Sequence, residues 1–329
     1  MKRFGNLMEQ IADRDNLLLA FWKAQRGKRA QTDTIRFRAH LEGELARLRS
    51  ALLAGPLDLG PYRSFTVHDP KERVICAAPF ADRVLHHAMM NVCHASFEAY
   101  QIYDSYACRV GKGTHKAVER AREFAVRYRH YLKLDIGRYF DSIDHELLKR
   151  QMRRRFKDRR VIEILDVLID SYETAPGKGL PIGNLTSQYF ANHYLGVLDH
   201  FVKETLCCLA YVRYMDDFVL WHDDRGQLKM WRDRIAGYLE ETLRLVIKPD
   251  CLNRCDAGMT FLGYRLFPAA VTLARRSRIR FRRKLTAAHY KYLSGEWSEA
   301  EAARHVEPLI AFVRHGRSEA MRRRIIARL

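Results

Sequence analysis

No apolar run in this 329-residue chain approaches the roughly 20 residues a helix needs to cross a bilayer, so no membrane-spanning segment is expected. The opening stretch, Met1 to Met8, lacks the hydrophobic core of a secretory signal, and a cytoplasmic protein is the expectation. Cysteine is sparse. Seven residues (Cys76, Cys93, Cys108, Cys207, Cys208, Cys251 and Cys255) form an odd set without framework spacing, which argues against a disulfide scaffold and predicts free thiols. Cys251 and Cys255 with Cys207 and Cys208 do not have the spacing of the usual zinc ribbons. Repeats, low-complexity tracts and Gly/Ser linkers are missing too, so domains should be closely joined.

Acidic residues are the scarce charge: 39 Asp and Glu stand against 58 Lys and Arg, a formal net charge of +19. Such an excess calls for a polyanionic partner. More than half of it lies in residues 275–329, which hold 15 Lys or Arg and 5 Asp or Glu. The densest piece is Arg275-Arg-Ser-Arg-Ile-Arg-Phe-Arg-Arg-Lys284, where Arg278, Arg280, Arg282, Arg283 and Lys284 interleave with Ile279 and Phe281. That pattern suits a surface gripping a phosphate backbone, with a plain solvated face as the alternative.

Helical periodicity runs through 6–26 and 34–54, ending at Gly55-Pro56. Alternating runs at 61–68 and 73–78, split by Asp69-Pro70-Lys71-Glu72, predict a hairpin. Residues 82–97 predict a helix on which His86 and His87 serve packing rather than metal binding. Beyond 115 the order is helix, strand (130–136), helix (145–172), Gly-rich turn (177–183), helix (185–205), hairpin (209–222), helix (227–244) and hairpin (259–273). Helices alternating with antiparallel strands in this way predict an α+β fold. The cations from Lys149 to Arg160 read either as a second nucleic-acid or protein contact or as a solvated helical face.

Two carboxylates sit at the tip of the 209–222 hairpin, in Tyr214-Met215-Asp216-Asp217, between apolar strands. An ordinary Asp-rich turn would look the same. A third acid, Asp135, ends the strand Tyr131-Leu-Lys-Leu-Asp135, and two strand-end acids from separated segments can meet in one sheet. Three clustered carboxylates repel one another until divalent cations bind, and hard oxygen ligands suit Mg2+ completed by phosphate oxygens. Two such ions about 3.5 to 4 Å apart would serve nucleotidyl transfer.

Asp135 within Leu134-Asp135-Ile-x-x-Tyr-Phe140, then Leu180-Pro-Ile-Gly-Asn-Leu-Thr-Ser-Gln188, Tyr-Met-Asp-Asp and Phe261-Leu-Gly-Tyr-Arg265 follow the order and spacing of the blocks of reverse transcriptases, so that residues 70–270 resemble that family. Upstream, Arg73-Val-Ile, Phe80-x-Asp82-Arg83 and Ser105-Tyr-Ala-Cys-Arg109-x-Gly-Lys-Gly113 look like its bacterial fingers blocks. The resemblance implies a right-hand polymerase with fingers at 1–130 plus 150–185, a palm at 131–270 and a basic helical thumb at 271–329. It implies an RNA template, a cDNA or RNA primer, dNTPs and two Mg2+ ions, with Mn2+ as an alternative. By position, Asp135, Asp216, Asp217 and the Ile136 carbonyl match the metal ligands. Phe140 matches the steric gate against a 2′-hydroxyl, with plain core as the alternative. Arg73 and Arg109, with Lys71, are candidates for the triphosphate. Lys248 falls where a lysine protonates pyrophosphate, or is a surface lysine before a turn.

The Gly-rich block, Ile182, Gly183 and on to Gln188, departs from retroviral and intron enzymes, which carry Gln and Pro where this chain has Ile182 and Gln188. A branched apolar side chain cannot hydrogen-bond near the templating base. The block most resembles the enzymes of diversity-generating retroelements. That likeness implies error-prone copying at template adenines, mutagenic retrohoming and a small basic accessory protein of the accessory variability determinant type. A phage-defence or retron-like reverse transcriptase and a non-catalytic RNA-binding scaffold are the alternatives.

Overall fold

The computed structural model describes residues 3–68, 72–327 and 329, and two compact units divide them. The first comprises the chain up to Tyr103 with Ile136–Thr205 and Arg234–Lys248, and the second Asp104–Asp135, Leu206–Asp233 and Pro249 onward.

In the first unit the helix Arg14–Ala24 packs on the helix Phe80–Glu98. Leu17, Ala20, Phe21 and Ala24 recur every three to four residues and are buried, and Asp13 caps the N-terminus by accepting from the Asp15 and Asn16 amides. Phe21 stacks on Phe37 with ring centres 5.7 Å apart, and Phe80 closes the cluster edge-on. The expected hairpin forms from β1 (Arg63–His68) and β2 (Glu72–Ala77). Lys71 lies outside the described residues.

Four helical segments expected here are interrupted: 6–26 forms Met8–Ile11 and Arg14–Ala24, where Asp13 is extended, and 34–54 forms Thr32–Ala39 and Leu41–Leu53, where His40 leaves the helical conformation. The 145–172 segment forms His145–Arg155 and Arg159–Asp170, because Phe156 is extended and bridges to Phe4, while Asp158 caps the second helix. The Asp158 carboxylate also accepts from the Leu7 and Met8 amides, so a distant segment stabilises the break. The 185–205 segment forms Leu185–Tyr194, Gly196–His200 and a π-turn, Phe201–Thr205.

The second unit is built on an antiparallel sheet of β3 (His130–Asp135), β4 (Tyr211–Tyr214), β5 (Asp217–His222) and β6 (Cys251–Arg254), in the order β4-β5-β3-β6. Phe218 to Trp221 of β5 are all buried, which explains their unbroken apolar run. The helix Thr114–Arg127 presents Ala117, Val118, Ala121 and Phe124 to the core, with Phe124 5.3 Å from Trp221. The expected 259–273 hairpin is a three-stranded meander, β7 (Met259–Phe261), β8 (Tyr264–Leu266) and β9 (Val271–Leu273). Its first turn is Leu262-Gly263, both at positive φ as a tight hairpin requires, and a side chain at 263 would collide with Phe312. Three helices follow, Arg275–Leu293, Glu299–Arg314 and Glu319–Ile326, and the first two pack together.

Candidate active site

The antiparallel register sets Asp135, the last residue of β3, directly opposite Asp217, the first of β5. Tyr214 pairs with Asp217, so Met215 and Asp216 alone make the β4–β5 turn. All three acids therefore share one end of one sheet, as the sequence predicts. Met215 takes φ 57°, the left-handed conformation that a two-residue hairpin needs and that glycine usually fills. Arg213, fully buried, donates from Nη1 to the Met215 carbonyl at 3.1 Å.

Alternation along β3 puts Lys133 on the face of Asp135. Its Nζ lies 3.1 Å from Asp217 Oδ2 and donates to the Thr260 carbonyl at 3.1 Å. Asp217 Oδ1 is buried and has no hydrogen-bond partner among the described residues. Burial pushes the Asp217 carboxyl up to about 6; Lys133 opposes the shift, and the charges of Asp135 and Asp216 add to it. An orphaned buried carboxylate oxygen beside two further acids fits a hard divalent cation. Among the described residues no three acidic, His or Cys side chains are gathered into a complete ligand set.

Arg109, also in this unit, is half-buried and donates from Nη1 to the Ser105 carbonyl at 2.7 Å. Arg278, Arg280, Arg282 and Arg283 lie exposed along the helix Arg275–Leu293 and Lys284 is half-buried on it, while Phe281 and Leu285 hold that helix to the core. Cys207 and Cys251 are exposed, Cys208 and Cys255 buried, and all seven cysteines are free thiols.

The first unit gathers a second group. The Cys76 amide of β2 donates to the Ile182 carbonyl at 2.9 Å, and Asn184 donates to the Cys76 carbonyl at 3.2 Å. Gly183 sits at φ 113°, and a Cβ there would meet Ile75 at 2.7 Å, so the Gly-rich block can lie this close to β2 only without a side chain. The Leu180 amide donates to the Phe140 carbonyl at 2.9 Å, which fixes the half-buried Phe140 to the same block. Gln188 is exposed on the helix that follows, and Arg73 is exposed on β2 opposite Val67. Ile136 bridges to Ile247, the Gly137 amide donates to the Val246 carbonyl, and Lys248 comes next, half-buried. His86, buried, has its imidazole pushed down to about 3, and His87 is lowered to about 4; in both, burial is the main cause. The lowered values favour the neutral imidazole in both, which is compatible with a packing role.

Three residues that position this machinery escape the sequence reading. Lys133 carries a legible signal, since it lies two residues before Asp135 on a strand. Arg213 is a lone cation in an apolar strand, which is a signal as well. Asn184 carries none, because its carbonyl partner on β2 is more than 100 residues away.

Residues 68–266 match the reverse transcriptase (RNA-dependent DNA polymerase) family. The chain is 26% identical over 277 residues to protein YkfC of Escherichia coli, covering 69% of this chain and 72% of that one. It is 23% identical over 215 residues to the putative COX1/OXI3 intron 1 protein of Saccharomyces cerevisiae, covering 61% of this chain and 25% of that one. Among solved structures it resembles apo telomerase from Candida tropicalis truncated from its C-terminal domain, at a TM-score of 0.51 and 14% identity, over 65% of this chain and 55% of the other. A second apo telomerase structure from that organism gives 0.50 and 12%, over 67% and 49%. The chain thus spans about half the length of those telomerase chains, and the likeness carries the fold alone, that of a right-hand polymerase. With its family match over most of the chain and three acids at one sheet end, this protein belongs to the reverse transcriptase family.

Proposed function

We propose that this chain copies RNA into cDNA by nucleotidyl transfer at Asp135, Asp216 and Asp217. The observation that carries this reading is the pairing of Asp135 with Asp217 beside a turn that contains Asp216, with one Asp217 oxygen buried and unpartnered among the described residues. Bound Mg2+ or Mn2+ would activate a primer 3′-hydroxyl and stabilise the charge on leaving pyrophosphate. The three carboxylates and the Ile136 carbonyl would hold the ions. Lys133 fixes the Asp217 carboxylate meanwhile and limits repulsion within the group. Arg73 and Arg109, with Lys71, would meet the triphosphate; Phe140 would exclude a 2′-hydroxyl; Lys248 would give a proton to pyrophosphate. Fingers at 1–130 with 150–185 contributing, a palm at 131–270, a thumb at 271–329 and a cytoplasmic setting belong to the same reading.

Primer extension on a defined RNA with dNTPs tests it. Asp216→Ala should lower extension by more than about a thousandfold while RNA binding persists. Extension by that variant at the wild-type rate overturns the assignment, and RNA binding without wild-type extension would favour a scaffold.

The finer reading is a diversity-generating retroelement enzyme working with a small basic accessory protein. Its support is Ile182, whose branched apolar side chain cannot offer the hydrogen bonds of a glutamine to a base pair. Sequencing the cDNA decides: errors should concentrate at template adenines, and equal rates at all four template bases would rule it out.

A further inference from the structure

The sharp turn that carries Asp216 is held from inside the protein. Met215 occupies the left-handed region at φ 57°, where a side chain is strained by of order 1 kcal/mol and glycine is not. Such a residue persists only when its surroundings over-determine it. Here the surroundings are Arg213. Its side chain is fully buried, an expensive place for a guanidinium, and its Nη1 donates to the Met215 carbonyl at 3.1 Å. The backbone of Arg213 is clamped as well. Its amide donates to the Asp104 carbonyl and its carbonyl accepts from the Tyr106 amide, both at 2.9 Å, in a parallel bridge at Ser105. Asp104, 4% exposed, is anchored in turn by Arg120 Nε at 3.0 Å. A chain of buried and part-buried polar contacts thus runs from the helix Thr114–Arg127 through Asp104 and Arg213 to the carbonyl that immediately precedes Asp216.

We infer that Arg213 is a positioning residue, which fixes the Met215-Asp216 turn so that the Asp216 and Asp217 carboxylates are aimed before substrate or cations arrive. Arginine suits the task better than lysine. Its planar fork makes directed hydrogen bonds within a buried site, whereas an ammonium on a flexible stem fixes no orientation. A turn free to move would misplace the carboxylates, and displacements near 1 Å can cost about a hundredfold in rate. The consequence for catalysis rests on the proposed role of the acids, whereas the fixing of the turn does not.

Two measurements on the full chain separate these parts. Hydrogen exchange at the amides of residues 215–217 should speed up roughly tenfold or more in Arg213→Lys, with exchange in the helix Thr114–Arg127 unchanged. Unchanged exchange at the turn, or equal acceleration throughout the unit, overturns the inference without reference to activity. The second is a double-mutant cycle of Arg213→Lys and Met215→Gly in primer extension. Glycine at 215 needs no restraint to adopt positive φ. Arg213→Lys should therefore lower kcat roughly tenfold or more in the wild-type background and by much less in the Met215→Gly background, with KM for dNTP little changed in either comparison. Equal losses in both backgrounds would show Arg213 to be ordinary core and sink the proposal. Should the wild type fail to extend, or Asp216→Ala remain active, the functional reading fails while the exchange measurement still judges the turn.

Discussion

Two cation-rich stretches of this protein look alike in sequence and differ in what the cations do. Between Lys149 and Arg160 four of them, Lys149, Arg153, Arg155 and Arg160, are engaged by other parts of the protein, while Arg154 and Lys157 are exposed. Lys149 lies 2.6 Å from Asp170, Arg153 2.5 Å from Asp166, and Arg155 is buried, donating from Nε to the Ser96 carbonyl at 2.7 Å with Phe4 and Tyr100 against its guanidinium. Arg160 donates to the carbonyls of Ala51, Leu52 and Gly55, closing the C-terminal end of the helix Leu41–Leu53. On the helix Arg275–Leu293 the arginines are turned outward. Arg275, Arg276, Arg278, Arg282 and Arg283 are exposed, and among the described residues no side-chain hydrogen bond or ion pair involves them. Charge density alone therefore does not separate cations engaged within the fold from cations left at the surface, and only the latter are free to meet a polyanion.

Four measurements can break or sharpen this contrast. The largest effect is expected at Arg155: Arg155→Met should lose about 3 kcal/mol of stability in urea unfolding, because the Ser96 carbonyl is left unpaired in the interior. The salt dependence of RNA binding should not move. Next, replacing Arg278, Arg282 and Arg283 together by Gln should weaken RNA affinity by roughly 10- to 100-fold near 0.1 M salt and reduce the slope of log affinity against log salt by about 2 to 3. Melting should be unaffected, and an unchanged slope would reassign these residues to a protein interface.

A smaller effect concerns pH. The buried His193 imidazole is pushed down to about 3, first by burial and then by the charges of Arg155 and His200. A base whose pKa is lowered on folding contributes stability that is fully present above its unfolded value near 6.5 and is lost as pH falls toward the folded value. Between pH 7.5 and 5 the wild type should lose about 2 kcal/mol more than His193→Phe, and equal losses would show the imidazole is not held neutral there. The smallest change is expected at the exposed pair Arg159–Glu163, 3.0 Å apart: Arg159→Ala should leave both stability and RNA binding at their wild-type values.

Much of this architecture was legible because it is local. Period-2 alternation and turn chemistry located β1 to β5, and the acids at the ends of β3 and β5 could be expected to meet once those strands were taken as neighbours. The breaks at Phe156 and Leu195 were not legible. The first depends on Phe4, Leu7 and Met8, which reach Phe156 and Asp158 from the far end of the chain. Lys133 could have been read from its spacing to Asp135, whereas Asn184 could not, since its partner on β2 is set by folding.

What the sequence alone determined was the chemistry: three carboxylates on strand ends, a Gly-rich block and a surplus of cations, all carried by short-range periodicity and residue type. What the tertiary structure decided was allocation. Whether a guanidinium faces solvent, as at Arg282, or caps a helix, as at Arg160, depends on carbonyls and carboxylates contributed by distant segments, and Arg213 is set over its turn by backbone bonds to Asp104 and Tyr106. The physical reason is that burying a charge is costly unless partners are supplied, and only the folded chain fixes which partners are in reach.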